Sequence, residues 1–137
     1  MLVKANVSVV GAKDSVTGIA LVDTGASITL LDEAIANRIE VRYLGRRLGL
    51  VVADGHGVSA ELAIVNKLIV EGEELPGAHI AVFRFSDEIR KRLKAHEVMD
   101  GCIIGLSALE ILGLAANTTT GKVERVGSLL LSIQMRN

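Results

Sequence analysis

The chain has 137 residues, half of them hydrophobic, with 15 basic and 16 acidic side chains and a formal charge of −1. That length suits one domain (residues 1–137) with a real core, and the near-neutral balance argues against a nucleic-acid binder, which presents a basic face. A single cysteine, Cys102, excludes an internal disulfide framework, and aromatics at only 2 % leave the core to Val, Leu, Ile and Ala.

Fourteen glycines against one proline predict many tight turns, as a β-rich fold requires. Residues 4–10 alternate and are rich in Val, which predicts a strand. Residues 12–18 form a polar turn, and residues 19–22 a second strand, so the chain opens as a hairpin. After Asp23 comes a run of small residues, then apolar residues 28–31. Asp32 is placed to cap a short helix over residues 33–38, with Ala34 and Ile35 facing inward.

Residues 48–53 and 58–68 are the next strand candidates, flanking Asp54-Gly55-His56-Gly57, a turn of the kind that closes a hairpin. A second hairpin is expected between residues 68–70 and 78–85, joined through residues 72–77. Residues 86–94 read as a helix with a Ser cap and acidic first turn. The basic clusters at Arg46–Arg47 and in residues 90–94 have acidic neighbours and read as a solvated helix face. Residues 99–113 contain a buried strand ending at Gly105 and a helix from near Ser107 to a glycine stop at Gly113. Residues 117–122 are turn material, and residues 128–135 make a last strand. Cys102 sits in an apolar run, which predicts a buried, inert thiol.

The run of residues 21–27, Leu-Val-Asp-Thr-Gly-Ala-Ser, is the most informative part of the chain. An apolar strand delivers one carboxylate, Asp23, into a turn of small residues, and a carboxylate there needs hydrogen bonds or a partner. Thr24 and Ser27 offer hydroxyls, and Gly25 lets backbone approach closely. This run resembles the catalytic loop of aspartic proteases. Its single copy, followed by a glycine-tipped hairpin and then Ile103-Ile104-Gly105 before a helix, is similar to the layout of retropepsin-like enzymes over residues 7–114.

The resemblance implies a mainly β, closed barrel-like fold with one or two short helices and an active site at a homodimer twofold. It implies a catalytic role for Asp23, supported by Thr24 and Gly25. It also implies substrate contacts from Ala26 and Ser27 and from a flap that includes Ala53, Asp54, Gly55, His56 and Gly57. Residues 103–105 then pack behind the catalytic loop. The expected activity is peptide-bond hydrolysis by an aspartic dyad, with itself and a peptide or protein substrate as partners. No cofactor and no metal are expected. Two departures stand out: extra chain around residues 86–97 and at the carboxyl end, and the polar Asp54 and His56 at the flap tip.

Three other readings compete with this one. The phosphate loop of actin-like ATPases and sugar kinases also places Asp-x-Gly-[Ser/Thr] after a strand, but needs two large domains, and the chain has no Gly-x-x-x-x-Gly-Lys-[Ser/Thr] loop. A catalytically weak peptide-binding or dimerisation module on the same fold stays open. Asp23 as a plain turn residue is the bland alternative. His56, His79 and His96 are scattered and show no metal spacing, and Asp100 lacks a Thr-Gly continuation. The most apolar stretch, residues 103–116, is interrupted by Glu110 and two glycines and is too short to span a bilayer. Without a basic, apolar signal segment at its start, the chain is expected to be cytoplasmic and not membrane-bound.

Overall fold

The computed structural model describes residues 1–52 and 55–126. Strands β1 (Val3–Val10) and β2 (Ser15–Val22) pair antiparallel in full register, Val3 opposite Val22 and Val10 opposite Ser15. Val3, Ala5, Val7 and Val9 point into the core, the period-2 signature of a half-buried strand. The turn between them is shorter than residues 12–18, because β2 already begins at Ser15.

Beyond the Asp23 loop come β3 (Thr29–Asp32) and α1 (Glu33–Ile39). Asp32 caps α1 as expected, its carboxylate accepting from the Ala34 N–H at 3.1 Å. The inward face differs from expectation: Ala34 is exposed, Ile35 half-buried, and Ala36 and Ile39 are buried. The helix runs one residue further than residues 33–38, and this brings Ile39 into the core at the i+3 spacing from Ala36.

Strands β4 (Arg42–Val51) and β5 (Gly57–Ile64) form the long hairpin, with Val51 opposite Gly57. Arg46 and Arg47 lie on β4, so that basic cluster belongs to a strand and not to a helix. The expected strand over residues 58–68 is two strands. The chain turns at Val65 and Asn66, and β6 (Lys67–Val70) crosses to pair with β1. Apolar alternation had hidden the turn, because Val65 is fully buried within it.

The second hairpin also differs. β6 pairs with β7 (Glu73–Pro76) through a two-residue turn, Glu71-Gly72, with positive φ at both positions (48° and 80°). That is the tight-hairpin geometry matching the strand twist. β8 (His79–Phe83) instead joins β5 antiparallel and β3 parallel.

Helix α2 (Asp87–Ala95) is capped by Ser86, whose hydroxyl accepts from the Ile89 N–H. β9 (Cys102–Ile104) slides between β2 and β3, parallel to the first and antiparallel to the second. Helix α3 (Leu106–Leu112) follows and stops at Gly113 in the left-handed region. A small sheet of β10 (Leu114–Asn117) and β11 (Lys122–Arg125) closes the described chain. The expected strand over residues 128–135 lies outside the described residues.

The main sheet has nine strands in the order β4-β5-β8-β3-β9-β2-β1-β6-β7. β4 and β7 are its edges, so the described strands form an open sheet and not the closed barrel that the resemblance implied. Among the described residues, no helix is long and apolar enough to cross a membrane.

Two apolar clusters fill the interior. The larger joins β1, β2, β6, α1 and α3. The smaller centres on Phe83 and Phe85, whose rings lie 4.8 Å apart, and takes in Leu93 and Val98 from α2 and the segment after it. Asp32 connects this region to the main core. Only 1 % exposed, it accepts from the Phe85 N–H at 2.8 Å and from the Arg90 guanidinium at 2.6 Å, and Arg90 also reaches Asp100 at 3.6 Å. The basic run of residues 90–94 is therefore not a uniform solvated face, since Arg90 turns inward to neutralise a buried charge.

Removing the Asp32 carboxylate as Asp32→Ala leaves Arg90 half-compensated and the Phe85 N–H unsatisfied, and should cost about 3 kcal/mol in urea denaturation. An unchanged unfolding midpoint would show the pair to be dispensable. Cys102 is fully buried, and burial pushes its thiol up to about 12. At pH 8 it should resist alkylation in the native protein and react once denaturant unfolds it, whereas native-state labelling would refute that burial.

Candidate active site

The Asp23 loop is built where β9 wedges between β2 and β3. Val22 pairs with Ile104 and Leu30 with Ile103, so residues 23–28 must bridge across the end of β9. Gly105 lies directly beneath that bridge. A Cβ there would sit 2.3 Å from the Ile28 carbonyl carbon, so only glycine fits. The Gly105 N–H donates to the buried Thr29 hydroxyl at 3.1 Å, the Leu106 N–H to the Ala26 carbonyl at 2.7 Å, and the Ser107 N–H to the Ser27 carbonyl at 3.0 Å. The Asp23 N–H itself donates to the Ile104 carbonyl at 2.9 Å. Residues 103–105 thus pack behind the loop, as expected of them.

Within the loop, the Asp23 carboxylate accepts from the Gly25 N–H at 2.9 Å, and the Ala26 N–H closes the turn on the Asp23 carbonyl at 3.1 Å. A Cβ on Gly25 would lie 3.1 Å from the carboxylate oxygen, so the glycine keeps that space open. The hydroxyls of Thr24 and Ser27 were candidates for holding the carboxylate. Among the described residues neither bonds to it, because the turn brings the i+2 amide closer than any side chain. Asp23, Thr24 and Ser27 are all exposed in the single chain.

Asp23 opens into a cavity of about 490 Å³. One side is the loop itself, with Gly25, Ala26 and Ser27. The floor is apolar, from Leu21, Ile28, Leu30, Phe83 and Ile103. Gly49 to Val52 of the β4–β5 hairpin form a second side, and Ile89, Arg92, Leu93 and His96 of α2 and its end form the third. A cleft whose described lining is mostly apolar and includes the Asp23 carboxylate is suited to holding an extended peptide against a reactive group.

The structure brings together Asp23, Gly25, Ala26 and Ser27, while Thr24 stands beside them without lining the cavity. Gly55, His56 and Gly57 stand at the hairpin end and do not line it either. Gly55 has φ of 89° and donates to the Val52 carbonyl, and the Val52 N–H donates to the His56 carbonyl, both at 2.9 Å. Ala53 and Asp54 lie outside the described residues. The residues that sequence reasoning missed are Gly49 to Val51 of the hairpin arm, Leu21, Ile28, Leu30 and Phe83 of the floor, and the four on or after α2. The arm carried a signal, as it alternates into the tip. The helix carried none, because its lining residues read as an ordinary amphipathic face.

The fold has known counterparts. The EIAV protease, solved in complex with the inhibitor HBY-793, superposes with a TM-score of 0.53 at 20 % identity, covering 80 % of this chain and 86 % of that one. The protein therefore has a retropepsin-like fold. The family described as aspartyl protease matches residues 5–108, from β1 through the Asp23 loop into α3, and the chain belongs to that family. A comparison with curated proteins returned no match.

Because Gly105 fits only as glycine, Gly105→Ala should displace the Ile28–Thr29 backbone and destabilise the protein by about 1–3 kcal/mol. Thr29→Val leaves the buried Gly105 N–H without its acceptor, at about 1–3 kcal/mol. Thermal denaturation of both variants checks the pair, and wild-type midpoints would show that the loop and β9 are not braced this way.

Proposed function

We propose that the chain is an aspartic endopeptidase that acts as a homodimer, with one Asp23 from each copy forming the dyad that activates water. The observation that carries this reading is the placement of Asp23 in an aspartyl protease family member: at the mouth of an apolar cleft, held by the Gly25 amide.

Peptide hydrolysis needs one carboxylate to take a proton from water and another to give one to the substrate carbonyl. One Asp23 cannot hold both states. Two of them about 3 Å apart would repel by roughly 5 kcal/mol at an effective dielectric of about 20, enough to make the pair share a proton and titrate as a unit. The chain carries one such residue in its Asp-Thr-Gly setting, so the second comes from a second copy across an isologous twofold. Thr24, whose exposed hydroxyl is not spent on Asp23 within the chain, braces the loop in the assembled site. Gly25, Ala26 and Ser27 receive the substrate backbone. The hairpin tip, with Ala53, Asp54, Gly55, His56 and Gly57, closes over the peptide and excludes water. The apolar floor favours Val-, Leu- or Ile-like side chains beside the scissile bond.

Cleavage of a peptide library between about pH 3 and 7 tests the reading, since a shared-proton dyad works best in mild acid. Asp23→Asn should lower the rate by about 10²–10⁴-fold. Equal cleavage by both proteins would remove Asp23 from the mechanism. Activity per chain should also fall on dilution, because the site needs two copies. Activity per chain that holds constant through dissociation would refute the shared site. No cleavage by folded, dimeric protein would favour a peptide-binding module on the same fold.

A further inference from the structure

The cleft beside Asp23 has one basic wall. Among the described residues lining it, only Asp23, Arg92 and His96 carry ionisable side chains, and the last two stand together on α2 and its carboxyl end. Their spacing is i, i+4, so they lie one turn apart on one stripe of the helix, and Ile89 and Leu93 lie on the same face. Lys4 adds a further basic group at this end, its ammonium donating to the His96 carbonyl at 2.6 Å.

The wall is held in place from behind. Leu93 is buried in the phenylalanine cluster, Ser86 caps the helix, and Arg90 is fastened to the buried Asp32. Of the other basic groups of α2, Arg90 reaches Asp32 and Asp100, Lys94 reaches Asp100 at 3.6 Å, and Lys91 does not line the cleft. Among the described residues Arg92 pairs with Glu88 alone, at 3.1 Å, with both side chains 64 % exposed. Such a surface pair is weak and easily exchanged for another carboxylate. Glu88 does not line the cleft, and among the described residues the only acidic side chain that does is Asp23.

We propose that Arg92, assisted by His96, is a specificity-determining residue that recognises an acidic side chain of the bound peptide, at a position flanking the apolar residues over the floor. The guanidinium fork matches a carboxylate in two-point geometry. The proposal rests on the peptidase reading for the fate of the peptide, but the recognition itself needs only binding.

The test uses the full chain and peptide pairs differing only in glutamate against glutamine, with that residue moved along the sequence. At one position the glutamate peptide should show a kcat/KM about fivefold higher, equivalent to about 1 kcal/mol, carried by KM with kcat unchanged. The preference should shrink as salt rises, as expected for an exposed charge contact. Arg92→Gln should abolish it, Arg92→Glu should reverse it toward lysine peptides, and Arg92→Lys should keep part of it. Because Arg92 is exposed, these variants retain the fold. The same pairs are also bound to Asp23→Asn and to its Arg92→Glu double variant, read by fluorescence anisotropy. Cleavage with no charge preference at any position would overturn the proposal and leave the peptidase intact. Absent cleavage with glutamate-selective binding that Arg92→Glu abolishes would overturn the peptidase and support the proposal. A preference that survives Arg92→Glu, or no selective binding at all, would overturn the proposal.

Discussion

Everything at the site depends on one close approach, the backbone of Gly105 against the backbone of Ile28 and Thr29. β9 can enter between β2 and β3 only if the chain joining those two strands passes over its end. That passage is the Asp23 loop. Four hydrogen bonds from β9 and the first turn of α3 fix it, and none of them uses an exposed side chain. The loop is therefore positioned by backbone, and among the described residues the exposed hydroxyls of Thr24 and Ser27 take no part in holding it. A rigid scaffold beneath a short loop of small residues is a common solution where a reactive group must be held to within fractions of an ångström.

The second constraint is electrostatic. Asp32 ends the strand that leaves the loop, caps α1, and takes the charge of Arg90 from α2. One buried carboxylate thus ties three elements that are distant in sequence. A charge at 1 % exposure is tolerable only with this many partners, and the amides of Ala34 and Phe85 and the Arg90 guanidinium supply them.

Local signals in the sequence carried much of this. The Asp23 loop, the residues 103–105 behind it, the Asp32 and Ser86 caps and the pairing of β4 with β5 all follow from short-range chemistry. What failed was pairing over distance. Val65 is buried within a turn, so periodicity ran straight through it and merged β5 with β6. Glu71-Gly72 is a two-residue turn without the Asn or Asp usual at its first position, and β6 was matched to β8 as a result. The role of Arg90 was invisible for the same reason: its partner Asp32 lies 58 residues away. Among the site residues, the carboxylate was legible because its neighbours are unusual. The α2 wall was not, because an amphipathic helix looks the same whether its outer face meets water or a ligand.

Helix α2 separates its attachments from its outlook. Arg90 fastens it to Asp32, Leu93 and Ile89 pack on the phenylalanine cluster while also lining the cleft, and Arg92 and His96 face the cleft from the exposed side. Substitutions on the facing positions leave the fastening positions untouched. Such a helix acts as an exchangeable panel on a fixed frame: descendants of this chain can acquire new preferences by changing two or three side chains, while the loop carrying Asp23 keeps its geometry and the core keeps its stability.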